Sequence, residues 1–311
     1  MPFSRNHRGK KVGGRDLLVR GMDSVLRHTE SVTPGSSAAT TGPGMMTAMP
    51  TPERSVIEGF DEALRAGAAG DEERRWELIS HLHVHGGQEA LEVAARWSDH
   101  PEPARRRLAA DVVSQLGAAP GQVAAAGPYR EGSLALLLTM VREESHPDVL
   151  YSITTGFGHI GDERSLAPLV SLRAHPDAEV RYGVAFALLG RPEAAALDTL
   201  ITLSADQDAQ VRDWATFGLA RQTDEDSPRL RDALADRLND DDVDTRVEAI
   251  HGLATRGDER VVQPLLDILE SPPESADSGL IAEALCALAT ADPRLLPHLP
   301  AAISSRGAEE R

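Results

Sequence analysis

The sequence predicts an all-α fold: an α-solenoid of about six helical hairpins behind a disordered N-terminal tail. Three observations carry this. Two ten-residue stretches, GDERSLAPLV (Gly161–Val170) and GDERVVQPLL (Gly257–Leu266), share six identical positions. HPDVLYSITTGFGHIGDERSL (His146–Leu166) aligns without a gap on HPDAEVRYGVAFALLGRPEAA (His175–Ala195), and the register continues through DAQVRDWATFGLA, DVDTRVEAIHGLAT and DSGLIAEALCALAT. Within each copy, apolar or small residues recur at helical spacing. Self-similarity at intervals of a few tens of residues marks an array in which each unit packs only on its neighbours.

The tail comes first, over residues 1–52. Residues 1–30 hold seven Lys/Arg and three Asp/Glu, a balance of +4 in a chain of net charge −17. SVTPGSSAATTGPGMMTAMPTP (Ser31–Pro52) has too little apolar surface to offset the entropy of ordering and is expected to be disordered. Arg15–His28 has the pattern of a short helix. Residues 53–144 follow as a helical region of irregular units. Its clearest copy is PARRRLAADVVSQLG, with Arg105 at the anchor position and Glu102 ahead of it.

Residues 145–300 carry the regular repeats. Tyr151, Val180, Val211, Thr245 and Leu280 are equivalent anchors, spaced by 29, 31, 34 and 35 residues, enough for two short helices and two turns. An Asp stands three residues before each anchor: Asp148, Asp177, Asp208, Asp242 and Asp277. Asp is a favoured N-cap, because its carboxylate accepts free N–H groups of the first turn at the positive end of the helix dipole. After the cap, positions +0, +4, +7 and +8 from the anchor fall on one side of a helix. Val180, Val184, Ala187 and Leu188 show the pattern. Gly161 and Gly190 fit helix C-termini. Before each cap runs another amphipathic stretch, with Pro168 and Pro264 near the starts of theirs. Residues 301–311 read as a frayed end.

The GDER-x-x-x-PL opening and the D-x-x-V-R start of the second helix (DAEVR, Asp177–Arg181; DAQVR, Asp208–Arg212) resemble HEAT repeats, of the short bacterial subtype named for phycobilisome lyases. The likeness is clear over about residues 145–290 and looser from about residue 71. It implies an armadillo-type array whose second helices line a concave surface. The family includes scaffolds and a few enzymes, so fold follows from the likeness more firmly than function.

Composition narrows the partners. With residues 1–30 set aside, the remainder carries −17 − 4 = −21, and such an acidic body repels phosphate backbones. No nucleic-acid partner is expected. No apolar run approaches the roughly 18–20 residues that span a bilayer, so no membrane insertion is expected either. One cysteine, Cys286, fits a reducing cytoplasm. Lysine is confined to Lys10 and Lys11 while Arg, Ala and Gly abound, which points to a GC-rich coding sequence.

Candidate partner-binding residues come from anchor +6, where Phe157, Phe186 and Phe217 succeed one another. At about 240° on the wheel, +6 lies far from the anchor-side apolar cluster. The resemblance then places the three rings on the concave wall, with Tyr182 and Trp214 beside them. They are either anchors for an apolar segment of a partner or packing between helices. His251 and Cys286 hold +6 in the last two copies. The +1 arginines Arg181, Arg212 and Arg246 and the caps Asp177, Asp208 and Asp242 read as a structural ladder between repeats, or as i,i+4 surface pairs.

Other clusters are weaker. His81, His83 and His85 are close in sequence, but only His81 and His85 would share a helical face, and no third ligand stands near. Asp240, Asp242 and Asp244 alternate like calcium ligands, yet Thr245 and His251 replace the Gly and Glu that such a loop needs. His159 stands where later copies have Leu188, Leu219 and Leu253, as a core histidine would. HEAT-type hydroxylases hold iron through His-Glu dipeptides, and the chain has none.

The expectation is therefore a non-catalytic scaffold or adaptor that binds a protein or peptide, without cofactor or metal. The alternative is a chromophore- or metal-dependent enzyme of the lyase or oxidoreductase kind.

Overall fold

The computed structural model describes residues 55–118, 127–271 and 278–291. Both terminal segments, Asp277 and the Arg15–His28 helix lie outside the described residues. Within them are fourteen α-helices and no strand. They form two compact units, divided after Ile160. The expected change from irregular to regular repeats lies earlier in the sequence, at 144/145. Compactness follows packing, and the hairpin that ends at Ile160 packs on the one before it.

Unit 1 holds α1 (Val56–Ala68), α2 (Glu72–His85), α3 (Gly87–Trp97), α4 (Pro103–Val113), α5 (Arg130–Met140) and α6 (Pro147–Ile160). Ser55 and Glu58 make a reciprocal capping box at the start of α1. Gly70, at φ 74°, turns the chain into α2, and Asp71 caps that helix through Arg74 N–H. The helices pair as α1/α2, α3/α4 and α5/α6, and the second members pack in sequence, α2 on α4 and α4 on α6. Phe60 meets Trp97 edge-on at 5.2 Å, and the Arg105 guanidinium lies 4.4 Å over the Trp97 ring. The ends of α6 differ from the sequence expectation: the helix starts at Pro147, so Asp148 sits inside its first turn. Glu102 precedes α4 without a side-chain cap bond.

Unit 2 holds α7 (Leu166–Leu172), α8 (Ala178–Ala187), α9 (Ala194–Leu203), α10 (Ala209–Arg221), α11 (Pro228–Ala235), α12 (Val243–Thr255), α13 (Val262–Glu270) and α14 (Ser278–Ala291). Asp177, Asp208 and Asp242 cap α8, α10 and α12 through backbone N–H groups at 2.9–3.2 Å. Each GDER motif builds a short 3-10 turn before a first helix. Asp162 caps it through Arg164 N–H and holds the Arg164 guanidinium at 2.8 Å, and Asp258 does the same for Arg260. The second helices again form one layer, α8 beside α10, α10 beside α12, α12 beside α14. The +8 leucines Leu188, Leu219 and Leu253 have no solvent exposure. Burying each contributes roughly 1.5–3 kcal/mol, and one such residue per hairpin explains why each unit leans on its neighbours. The chain therefore holds seven successive helix pairs among the described residues, the first of them α1/α2.

Candidate interaction surface

The second helices of unit 2 owe their register to their caps, and that register fixes which side chains share a face. On α8, Tyr182 and Phe186 stand at +2 and +6. On α10, Trp214 and Phe217 stand at +3 and +6. The four rings meet edge-on around Trp214, with centroids 5.5 Å from Tyr182, 5.9 Å from Phe186 and 5.9 Å from Phe217. T-shaped contacts of this kind add about 0.5–1.5 kcal/mol each beyond their burial. Tyr182, Trp214 and Phe217 are buried, and Phe186 is half-buried.

This corrects the picture of a displayed stripe. Phe157 is fully buried in unit 1, and of the five aromatic candidates Phe186 alone is not classed as buried. The helical wheel locates +6 away from the anchor cluster correctly but says nothing of lateral neighbours. In unit 2, α10 has a second helix on each side, so its buried arc is wide enough to include +3 and +6. His251, at +6 of α12, is half-buried, and Cys286, at +6 of α14, is exposed.

The ladder exists with different partners. Arg181 does not pair with Asp177. It makes a two-pronged bond to Asp206, Nε to Oδ2 at 2.7 Å and Nη2 to Oδ1 at 2.8 Å, and its Nη1 donates to the His175 and Pro176 carbonyls. Arg212 repeats this with Asp240 at 2.8 and 2.7 Å and with the Asp206 and Gln207 carbonyls. Asp206 and Asp240 in turn accept the N–H groups of the caps Asp208 and Asp242 at 2.8 and 3.0 Å. Arg246 donates to the Asp240 carbonyl. Unit 1 has the same device, Arg106 with Glu144 at 2.7 and 3.0 Å, and Glu144 accepts His146 N–H. Burial pushes the Asp206, Asp240 and Glu144 carboxyls up, yet the guanidinium and cap N–H bonds together hold all three below their ordinary values. The signal was legible in the Asp-x-Asp spacing of Asp206/Asp208 and Asp240/Asp242.

The remaining candidates are placed as follows. His83 is buried, with Nε2 3.0 Å from the Asp111 carbonyl, while His81 and His85 are exposed with rings 4.6 Å apart. The Asp111 carboxylate is taken by buried Arg75. His159 is half-buried, and burial, with nearby His83, pushes its pKa down to about 4. The Asp240 oxygens accept from the Arg212 and Arg237 guanidinium groups. Among the described residues no group of three or more His, Cys, Asp or Glu is placed to hold a metal ion. None of their helices is long and apolar enough to cross a membrane.

Comparison with known proteins matches the repeats. A family model described as HEAT repeats fits residues 134–220 and 197–286. The crystal structure of the E. coli protein YibA is similar over 82% of this chain and 91% of its own, at 23% identity and a TM-score of 0.61. An engineered protein is similar over 80% of this chain and 72% of its own, at 17% identity and a TM-score of 0.51. At these identities the likeness concerns the fold. No curated protein sequence matches this one.

Proposed function

This chain is a HEAT-repeat protein, and from that premise we propose that it is a non-catalytic scaffold that binds a protein or peptide along the second helices of unit 2. The observation that supports this reading is Phe186, a half-buried ring set against the buried ring of Trp214. Binding energy at protein surfaces concentrates in aromatic side chains that are rigidly backed and only partly exposed. Tyr182 and Phe217 brace the same Trp214, so the ring edge at the surface is held at little entropic cost. A reducing, cytoplasmic setting belongs to the same reading and is supported by a single cysteine in the chain.

The test is affinity capture from native lysate with the full chain and with Phe186→Ser. The variant is expected to weaken capture of a specific partner by about tenfold or more, while far-UV circular dichroism stays that of the parent. A Phe186→Ser protein that keeps its helicity and recovers the same partners in the same amounts removes the reading. Bound iron or visible absorbance in the purified protein would favour an enzyme instead.

A further inference from the structure

We infer that the first helix pair of unit 1 docks the N-terminal segment of its own chain, with Arg15–His28 lying as an amphipathic helix over a stripe of Trp76, Ser80 and Val84 on α2. This is independent of the reading of unit 2. Asp71 caps α2, so by the spacing of the other repeats Arg74 is its anchor. Trp76, Ser80 and Val84 then stand at +2, +6 and +10, one per turn on one side of the helix. Trp76 is half-buried, Ser80 is exposed and Val84 is 44% exposed. Among the described residues only one other large apolar side chain is exposed, Ile57 on α1. The Trp76 indole N–H has no hydrogen-bond acceptor among the described residues, a state that proteins seldom leave uncompensated. α4 lies along one side of α2, and no second helix precedes α2 among the described residues.

The chain carries a segment that matches this stripe. In Arg15–His28, which lies outside the described residues, Leu18, Met22, Val25 and Leu26 recur at helical spacing, while Asp16, Arg20, Asp23 and Arg27 fall on the other side. A helix this short is marginal in water and gains from an apolar face to lie on. Charge favours the same place. Residues 1–30 carry 7 − 3 = +4, and residues 55–86 carry 3 − 7 = −4. Glu77 is held by Arg74 at 2.8 Å, but Glu73, exposed one turn ahead of Trp76, has no ion pair among the described residues.

The connection is long enough. Residues 29–54 separate His28 from Ser55 and are rich in Ser, Gly and Pro. A flexible coil of that length spans about 28 Å root mean square, more than the length of α2, about 21 Å. Such a link gives an effective concentration of about 1 mM, so an intrinsic dissociation constant of about 0.1 mM leaves the stripe covered about ten times as often as open.

The test is thiol labelling of the full chain. Val84→Cys and Ala68→Cys, the latter exposed on α1, are made separately, with native Cys286 as the internal reference. Labelling by a maleimide is timed peptide by peptide by mass spectrometry. Adding Leu18→Asp with Met22→Asp is expected to speed labelling at position 84 about tenfold, and to leave position 68 and Cys286 unchanged. Ser80→Cys, one turn earlier on the stripe, is expected to respond as position 84 does. Equal rates at positions 80 and 84 with either form of the segment mean that the stripe is open, free for a partner from outside, and overturn the inference. Equal acceleration at position 68 means that the segment clings to the acidic surface in general and also overturns it. Protection that disappears on about hundredfold dilution assigns the cover to a second copy of the chain, which overturns the intramolecular reading.

Discussion

Arg212 lays its guanidinium along the Asp240 carboxylate, Nε to Oδ2 at 2.8 Å and Nη2 to Oδ1 at 2.7 Å, and Asp240 accepts the Asp242 N–H at 3.0 Å. One carboxylate therefore joins α10 to the start of α12. The Asp240 side chain is 3% exposed and that of Arg212 14%, so Arg212 would be left without this carboxylate in a poorly solvated place if Asp240 were removed, whereas Asp240 would keep Arg237 at 3.1 Å if Arg212 were removed. Asp240→Ala is expected to cost about 3 kcal/mol, as breaking a buried pair does. Arg212→Ala should cost less, because its other bonds go to carbonyls that water can satisfy. In chemical denaturation the double variant should fall short of the summed losses by about 1–2 kcal/mol. Additive losses would mean that the two residues act separately.

Gly252 of α12 sits tight against Ala220 of α10. A Cβ there would stand 2.8 Å from Ala220 Cβ and 2.9 Å from Ala220 Cα, which is backbone and cannot swing aside. At Gly218 the nearest atom is the Leu189 side-chain tip, also 2.9 Å away but free to turn. Alanine is a better helix former than glycine by about 1 kcal/mol, so the two variants should separate. Gly252→Ala is expected to lower the melting temperature, with the overpacking cost of about 1–3 kcal/mol outweighing the propensity gain. Gly218→Ala should be close to neutral. A Gly252→Ala shift no larger than that of Gly218→Ala would show that α10 and α12 part easily at Ala220.

The repeats, the caps Asp177, Asp208 and Asp242 and the +8 leucines were legible because each depends on residues within one turn or at one helical period. Asp177, Asp208 and Asp242 announce helix starts by local chemistry alone. Phe157 and Phe217 were not legible as buried, because their burial comes from a neighbouring helix whose angle no single-helix wheel contains. The ladder lay between these cases. Its arginines were read at +1, but Asp206 and Asp240 are 25 and 28 residues away from them, and only the Asp-x-Asp spacing hints at their double duty. The Arg75–Asp111 pair, 36 residues apart, has no such hint.

Three histidines are expected to make the protein sensitive to mild acid. Burial lowers the pKa of His83, outweighing its bond to the Asp111 carbonyl. Burial pushes His159 down to about 4, and burial with Arg221 and Arg256 does the same to His251. Each folded value lies below the unfolded value of about 6.5, so the unfolded chain takes up protons first as pH falls. Stability is therefore expected to be full above about pH 6.5, to decline between there and about 4, and to have no further contribution from His159 and His251 below that. The ladder carboxylates, also held below their ordinary values, are protonated at lower pH and give a second decline beneath the first. His159→Leu, which installs the side chain of the other repeats, should raise the melting temperature at pH 5 more than at pH 8. An equal gain at both pH values would assign the effect to packing.

Phe157 and Phe186 occupy equivalent positions and should answer mutation in opposite ways. Phe157 has no solvent exposure, so Phe157→Ala leaves a cavity in the layer of second helices of unit 1. That is expected to cost about 3–5 kcal/mol. Phe186 is half-buried and meets Trp214 edge-on. Its truncation forfeits part of one ring's burial and one aromatic contact, about 1–2 kcal/mol. Chemical denaturation of the two alanine variants checks the order directly. A Phe186→Ala cost as large as that of Phe157→Ala would mean that the ring is core in both units, and the surface built on Phe186 would have no anchor.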